Sequence, residues 1–187
     1  ISVFTGNFLL AEDLLPSLFF ARDRYLKPNG TLIPDSAVME AAPISAPDLF
    51  DQTIAAWSQP HLGIDYSPGR LLANQNIYWG RKELKGAEYL AAPSALMSLD
   101  FYEARSTHCQ AQAKYCINQS SLCHGFAGWF RMKLGNDWLS TAPHEPPLHW
   151  SAAYLPLDPP IRVAMNDEVE LKLTRPSHGD WTWQVST

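Results

Sequence analysis

The sequence lacks the positive charge that nucleic-acid binding requires. Its 187 residues include 14 lysines and arginines against 19 aspartates and glutamates, which gives a formal net charge of −5 at pH 7. Surfaces that bind a phosphate backbone are basic, so we expect no nucleic-acid partner. The sequence also has no apolar run near the roughly 18 residues that a membrane-spanning helix needs, and we expect no association with a membrane.

Cysteine is scarce, and its spacing does not indicate a disulfide framework or a zinc site. The three cysteines are Cys109, Cys116 and Cys123, and an odd number argues against full pairing. His108 and His124 adjoin the outer two, but zinc ligands usually lie about two to four residues apart. We therefore expect free cysteines on half-buried strands, no metal, and a reducing, cytoplasmic compartment.

What the sequence does contain is enough apolar material for a real core. Hydrophobic residues make up 46% of the chain and charged residues only 18%, which excludes a disordered chain. The length fits one domain with an insertion, or slightly more than one domain. The chain opens at Ile1, within what reads as a structural element, so we expect it to be a piece of a longer protein.

Two segments have helical patterns. In "AEDLLPSLFFARDRYLKPNG" the apolar residues follow helical spacing, Pro16 belongs in the first turn, and Asn29-Gly30 favours a left-handed end. In "SAPDLFDQTIAAW" the pattern predicts Ser45 as the cap and Pro47 in the first turn. Residues 58–92, with several glycines and scattered aromatic residues, read as an inserted arm rather than as part of a sheet.

The remainder of the chain is dominated by alternating, strand-like patterns. The alternation predicts that Val169, Leu171 and Leu173 share one face of a strand, and that Trp181 and Trp183 share one face of the last strand. Many short strands with turn signals predict a barrel or a sandwich. The candidate strands are "TLIP", "AVMEAAPI", "ALMSLDFYEA", "HCQAQAKYCI", "LCHGFAGWFRMKL", "HWSAAYLPL", "DEVELKLT" and "DWTWQV".

Three stretches, taken in order, resemble the protein arginine methyltransferase family. "GNFLLAEDLLPSLFFARDRYLKPNGTLIPDSA" is similar to the family's double-glutamate loop, the following helix and the entry into its β-barrel. "STAPHEPPLHW" is similar to its Thr-His-Trp loop, and "YLPLDPPIRVAMNDEVELKL" to the barrel strands after that loop. The resemblance favours a bacterial-type member of the family.

The resemblance implies a mainly β fold with helices. Residues 1–30 would be the loop-and-helix end of a Rossmann-like methyltransferase domain. Residues 31–187 would form the substrate-binding β-barrel, with residues 45–92 as a helical arm for homodimerisation. The family's cofactor, S-adenosylmethionine, would bind upstream, because no two glycines here are spaced as its glycine-rich turn requires. We therefore expect this chain alone neither to bind the cofactor nor to be active.

The resemblance also implies the site residues. Glu12 matches the second glutamate of the family loop, which binds the substrate guanidinium as carboxylates do, while Val3 stands where the first glutamate is expected. His149 is implied as a second catalytic residue, and Trp150 as a wall of the arginine pocket. Asn7 and Phe8 lie in the loop beside that pocket and are candidate substrate contacts. The other interpretation of Glu12 is a favourable charge at a helix N-terminus.

Three functions remain open at this point. The first is the substrate-binding barrel of an S-adenosylmethionine-dependent enzyme that methylates arginine-containing proteins or peptides, with Asp13 or another acid substituting for the missing glutamate. The second is a catalytically inactive, dimerising scaffold, favoured by Val3. The third is an aromatic-rich β module that binds a ligand through exposed tryptophans, which burial of Trp181 and Trp183 against the core would argue against.

Overall fold

The computed structural model describes residues 1–80 and 84–187. These residues contain three α-helices, together with short 3₁₀ turns at Ala11–Asp13 and Ala55–Ser58. The helices are α1 (Leu15–Tyr25), α2 (Pro47–Thr53) and α3 (Gly69–Asn74). The strands are β1 (Ser36–Ser45), β2 (Tyr78–Trp79), β3 (Glu88–Tyr89), β4 (Ser94–Asp100), β5 (Cys109–Cys116), β6 (Ser121–Leu134), β7 (Asp137–Ser140), β8 (Ala153–Val163), β9 (Glu168–Arg175) and β10 (Thr182–Ser186).

The strands form two antiparallel sheets. In the larger, seven-stranded sheet the order is β2-β8-β6-β1-β3, with β4 also paired to β1 and β7 to β6. The smaller sheet has the order β10-β9-β5. The predicted mainly β class with helices is confirmed. Strand pairing among the described residues gives two sheets rather than one closed ring.

The smaller sheet shows why its strands were predictable. On β9 the side chains of Val169, Leu171 and Leu173 are fully buried, while the alternate positions face outward, as the period of two requires. Trp183 lies opposite Leu173 on β10 and packs, half-buried, against the same core. This sheet covers one side of the main apolar cluster.

The helix α1 follows the predicted pattern and shares the core of the sheets. Pro16 lies in its first turn, and the backbone of Asn29 beyond it is left-handed, with φ of 60°. Leu15 and Phe19 are buried in the same cluster as the strands. The buried Arg22 donates to the carbonyl oxygens of Phe101 (2.7 Å) and Ala104 (2.8 Å), which ties α1 to the turn after β4.

Two local predictions were wrong. "TLIP" forms bends instead of a strand, because the backbone N–H of Leu32 donates to the Tyr102 hydroxyl (2.8 Å) rather than to a neighbouring strand. Ser45 does not cap α2, since it is still paired within β1 to Glu88. Ala46 takes the cap position without a side-chain cap, and its N–H donates to Nδ1 of His124 at 3.2 Å.

The arm, residues 45–92, is anchored on the larger sheet more firmly than its sequence indicated. Its strand β2 pairs with β8, and β3 pairs with β1, although we expected no sheet strands there. Arg70 on α3 makes two hydrogen bonds with the Asp158 carboxylate, at 2.6 and 2.7 Å. Among the residues described, no helix is both long and apolar enough to cross a membrane.

We expect acid to weaken the anchoring of the arm through His124. Burial lowers the pKa of this imidazole, so the folded chain resists the proton that the unfolded chain accepts below its ordinary pKa of about 6.5. The contribution to stability is therefore complete above that pH and is lost as the pH falls through the lowered folded pKa. His124→Asn keeps an acceptor near Nδ1 and does not titrate.

The measurement is urea unfolding of the wild type and of His124→Asn at about pH 7.5 and about pH 5, on either side of the ordinary histidine pKa. The free energy of unfolding of the variant should rise relative to the wild type at the lower pH. A difference between the two proteins that does not change with pH would contradict this interpretation.

Candidate functional site

The loop that carries Glu12 has an unusually strained backbone. Phe8, Leu9, Glu12 and Asp13 all have positive φ angles, of 47°, 66°, 70° and 52°. Residues with a side chain rarely occupy this region, and each such residue costs about 1–3 kcal/mol. The conformation therefore persists only because surrounding contacts stabilise it.

Gly6 allows the loop to close on itself. A Cβ atom at this position would lie 1.6 Å from the carbonyl oxygen of Ala11, so no other residue fits. The N–H of Gly6 donates to the carbonyl of Leu9 (3.2 Å), and the N–H of Ala11 donates to the carbonyl of Asn7 (3.1 Å). The loop is a compact turn whose ends are set by backbone contact.

Phe8 attaches this turn to the core. Its side chain has no exposed surface, and its ring lies over Gly128 of β6, where a Cβ atom would come within 2.6 Å. The ring also packs against Trp181, with 5.2 Å between the ring centroids. Phe8, predicted as a substrate contact, therefore lies in the core and supports the site by packing.

The loop between β7 and β8 presents His149 and Trp150 to the same region. The indole Nε1 of Trp150 donates to the backbone carbonyl of Thr5 at 2.6 Å, and its ring meets Phe130 edge-on at 5.6 Å. The exposed His149 ring lies 5.8 Å from the Trp150 ring. Its side chain makes no hydrogen bond within the described part of the chain.

Asn7 joins the two loops. Its Oδ1 accepts a hydrogen bond from the backbone N–H of Ser151 at 2.7 Å, while its Nδ2 donates to Oε1 of Glu12 at 3.4 Å. Glu12 is exposed and forms no ion pair within residues 1–80 and 84–187. The structure thus brings together Glu12, Asn7 and the His149–Trp150 pair, and the Glu12 carboxylate there is exposed.

Asp13 has a different environment from its neighbour. Its Oδ1 accepts from Nη2 of Arg175 at 2.7 Å, and its Oδ2 lies 3.4 Å from Nδ1 of His178. The hydrogen bond from Arg175 lowers the pKa of Asp13. Arg175 is only 4% exposed, and its guanidinium lies 5.6 Å from the Trp181 ring.

Sequence reasoning missed Arg175, although a signal was present. It continues the alternation of Val169, Leu171 and Leu173 and therefore falls on the buried face of β9. A buried arginine requires a carboxylate partner, and the partner is Asp13. The carboxylate that was to substitute for a glutamate at Val3 is thus already paired, and Val3 itself is 71% exposed.

The cysteines and tryptophans bear on the other interpretations. Cys109 and Cys123 are buried free thiols, and burial raises the pKa of each to about 11. No group of three or more potential ligands for a metal occurs among the described residues. Trp181 and Trp183 pack half-buried against the core, which argues against a ligand-binding face built on them.

The sequence of this chain is similar to those of known arginine methyltransferases. Residues 35–183 match the family model described as the arginine methyltransferase oligomerization subdomain. Protein arginine N-methyltransferase 6 of Xenopus laevis is 32% identical over 189 residues, covering 93% of this chain and 54% of the relative. Protein arginine N-methyltransferase 2 of Xenopus tropicalis is 26% identical, covering 100% of this chain and 46% of the relative. The chain therefore spans about half the length of these relatives.

Solved structures agree on the fold. The Trypanosoma brucei PRMT1 enzyme–prozyme heterotetrameric complex with AdoHcy has a TM-score of 0.80 at 19% identity, covering 97% of this chain and 65% of that chain. Arabidopsis thaliana protein arginine methyltransferase 10 has a TM-score of 0.73 at 23% identity, covering 98% of this chain and 64% of that chain.

We expect Asn7→Ala to separate the two loops. The substitution leaves the half-buried N–H of Ser151 without its acceptor, which should lower the free energy of unfolding by about 1 kcal/mol or more. Urea unfolding measures this loss. Asn136→Ala is the matched control, because Asn136 is exposed in the β6–β7 turn, and should change stability by less than about 0.5 kcal/mol. Equal losses in the two variants would show that the Asn7 link contributes nothing.

Proposed function

We propose that this chain, which belongs to the protein arginine methyltransferase family, forms the substrate-binding part of an enzyme. That enzyme transfers a methyl group to a guanidinium nitrogen. Membership rests on the family-model match over residues 35–183. The activity is our inference, since the chain spans only about half of its relatives. The observation that supports it best is the grouping of Glu12, Asn7, His149 and Trp150 at one surface.

The chemistry available to these residues fits a guanidinium substrate. An exposed carboxylate accepts hydrogen bonds from the planar fork of an arginine side chain and stabilises its charge. Glu12 is held by a rigid turn rather than a mobile loop, which lowers the entropic cost of orienting the substrate. The Trp150 indole is fixed by its bond to Thr5 and offers a rigid wall for the aliphatic part of the substrate, with His149 beside it.

We further propose that the methyl donor binds outside this chain. S-adenosylmethionine supplies the methyl group when it is bound, and this sequence lacks the glycine spacing of the usual glycine-rich turn of cofactor-binding domains. Under this proposal residues 1–30 are the C-terminal end of the donor-binding domain, and residues 31–187 form the substrate-binding domain. The Trypanosoma brucei complex was solved with AdoHcy, which supports this class of cofactor for the family.

A catalytically inactive scaffold is the second candidate, and Val3 favours it. The family loop supplies two carboxylates, whereas this loop offers only Glu12, because Asp13 is paired with Arg175. One missing charge-assisted hydrogen bond costs about 1.5–3 kcal/mol, which corresponds to a rate about ten- to a hundred-fold lower. An enzyme with this site would be slow, or would act on an acceptor that needs one carboxylate.

We propose that the arm mediates homodimerisation. The matched family model is itself described as an oligomerization subdomain. Although the arm is anchored on its own sheet, it leaves large apolar side chains in contact with solvent, including Leu62 (86% exposed), Leu71 (66%) and Ile64 (54%). Several large, exposed apolar side chains within one short segment are typical of a surface that is covered in an assembly.

The free thiols of the chain also support our proposal of a reducing, cytoplasmic location.

The first test is methyl transfer by the full-length parent protein, with labelled S-adenosylmethionine and a panel of arginine-containing peptides. We expect labelled methylarginine from the wild type and its loss in Glu12→Gln, which retains size but not charge. Glu168→Gln, an exposed glutamate on β9, is the matched control and should retain activity. Cofactor binding without any transfer in the wild type would favour the scaffold instead.

The second test concerns the arm. Leu62→Gln combined with Leu71→Gln should raise the dimer dissociation constant of the parent protein by at least about tenfold, since burying each leucine contributes about 1.5–3 kcal/mol. Sedimentation equilibrium measures this constant. Met165→Gln changes an apolar side chain that is 58% exposed outside the arm and should have no effect. An unchanged constant in the double variant would place the interface elsewhere.

A further inference from the structure

Two side-chain hydrogen bonds of unequal strength hold the strained turn at Glu12 and Asp13. On one side Asn7 donates to Glu12 over 3.4 Å, a long contact between exposed groups. On the other side Asp13 and Arg175 form a charge-assisted bond of 2.7 Å. Both bonds reach a carboxylate, but only the Asp13 bond has a charged donor and the short length typical of pairs between two ions, so the contact through Asp13 is the stronger.

Arg175 is itself fixed in place. It ends strand β9, where it lies opposite Cys109 of β5, and its side chain is only 5% exposed. Its guanidinium lies near the face of Trp181, which in turn packs on Phe8 of the same loop. Asp13 is the only carboxylate that pairs with Arg175 among the described residues. The arginine therefore connects the turn to the smaller sheet, where strand pairing holds its backbone in place.

We propose that Arg175 is a positioning residue for Glu12, acting through the Asp13 carboxylate. The ion pair holds Asp13 in its left-handed conformation, and this fixes the preceding peptide and the direction in which Glu12 leaves the backbone. Arg175 is too deeply buried to contact a substrate, so its contribution is orientation. This inference rests on the proposed function, because it assigns a purpose to the orientation of Glu12.

The alternative is that the pair only stabilises the fold. A purely structural pair would protect all parts of the protein alike, whereas a positioning pair has an additional effect that is confined to the turn. Asp13→Asn separates the two, because asparagine tolerates left-handed backbone as well as aspartate does and the substitution removes only the charge. Arg175→Gln removes the opposite charge, and Arg175→Lys keeps a charge but loses the planar fork.

The first measurement is hydrogen exchange in the full-length parent protein. The amides of Gly6, Leu10 and Ala11 are bonded within the turn and report on its opening. We expect their exchange to be about tenfold faster or more in Asp13→Asn and Arg175→Gln. The amides of β9 should be accelerated less than those of the turn. Every amide of the turn should exchange at the wild-type rate in Glu168→Gln, a control on the same strand.

The second measurement is methyl transfer by the same proteins at matched cofactor occupancy. We expect kcat/KM for the peptide to fall about tenfold or more in Asp13→Asn and Arg175→Gln, with the affinity for S-adenosylmethionine unchanged. Removing one partner of a buried pair also lowers the melting temperature, so the assay is run well below the melting temperature of every variant. Arg175→Lys should recover part of the loss.

The two measurements together decide whether Arg175 positions Glu12. Faster exchange in the turn together with lower kcat/KM supports the proposal. Wild-type exchange in the variants, or faster exchange with unchanged kcat/KM, overturns it, as does a loss of activity in proportion to the fraction of unfolded protein at the assay temperature. If the wild-type parent transfers no methyl group, the proposed function fails instead, and the exchange rates alone then show whether the ion pair holds the turn.

Discussion

The contact between the Phe8 ring and the backbone of Gly128 is the constraint on which the site depends. Strand β6 runs through the middle of the larger sheet, and only a residue without a side chain at position 128 lets an aromatic ring approach it so closely. The ring anchors the tight turn that carries Glu12. The same segment is hydrogen-bonded to the second loop, because Trp150 donates to the carbonyl of Thr5 and the N–H of Ser151 donates to Asn7. One buried ring thus fixes two loops that are about 140 residues apart in the chain.

Elements with a regular period could be predicted, and elements set by long-range partners could not. Strand β9 follows from its alternating residues, and α1 from its apolar spacing and Pro16. The failures at Ser45 and "TLIP" both come from distant partners: pairing with Glu88 keeps Ser45 in β1, and the Tyr102 hydroxyl accepts the N–H of Leu32. Asn7 could be placed near the site from the family resemblance, but its bond to Ser151 depends on tertiary packing that no local pattern encodes.

Two adjacent carboxylates show how position in the fold separates chemically similar groups. Glu12 and Asp13 are neighbours, yet one is exposed and without an ion-pair partner in the described structure, while the other is bound to a buried guanidinium. From sequence alone either acid could serve the site. The alternation that places Arg175 inside the molecule decides between them, because a buried cation needs a compensating anion nearby.

The distribution of the thiols has a practical consequence. Cys109 and Cys123 are enclosed in the core with raised pKa values, whereas Cys116, at the end of β5, is exposed. Thiol reagents attack the ionised, accessible form, so a maleimide dye should label this chain at one position without any engineering. A fluorophore there would sit at the end of a rigid strand and serve as a fixed reference point for distance measurements between subunits.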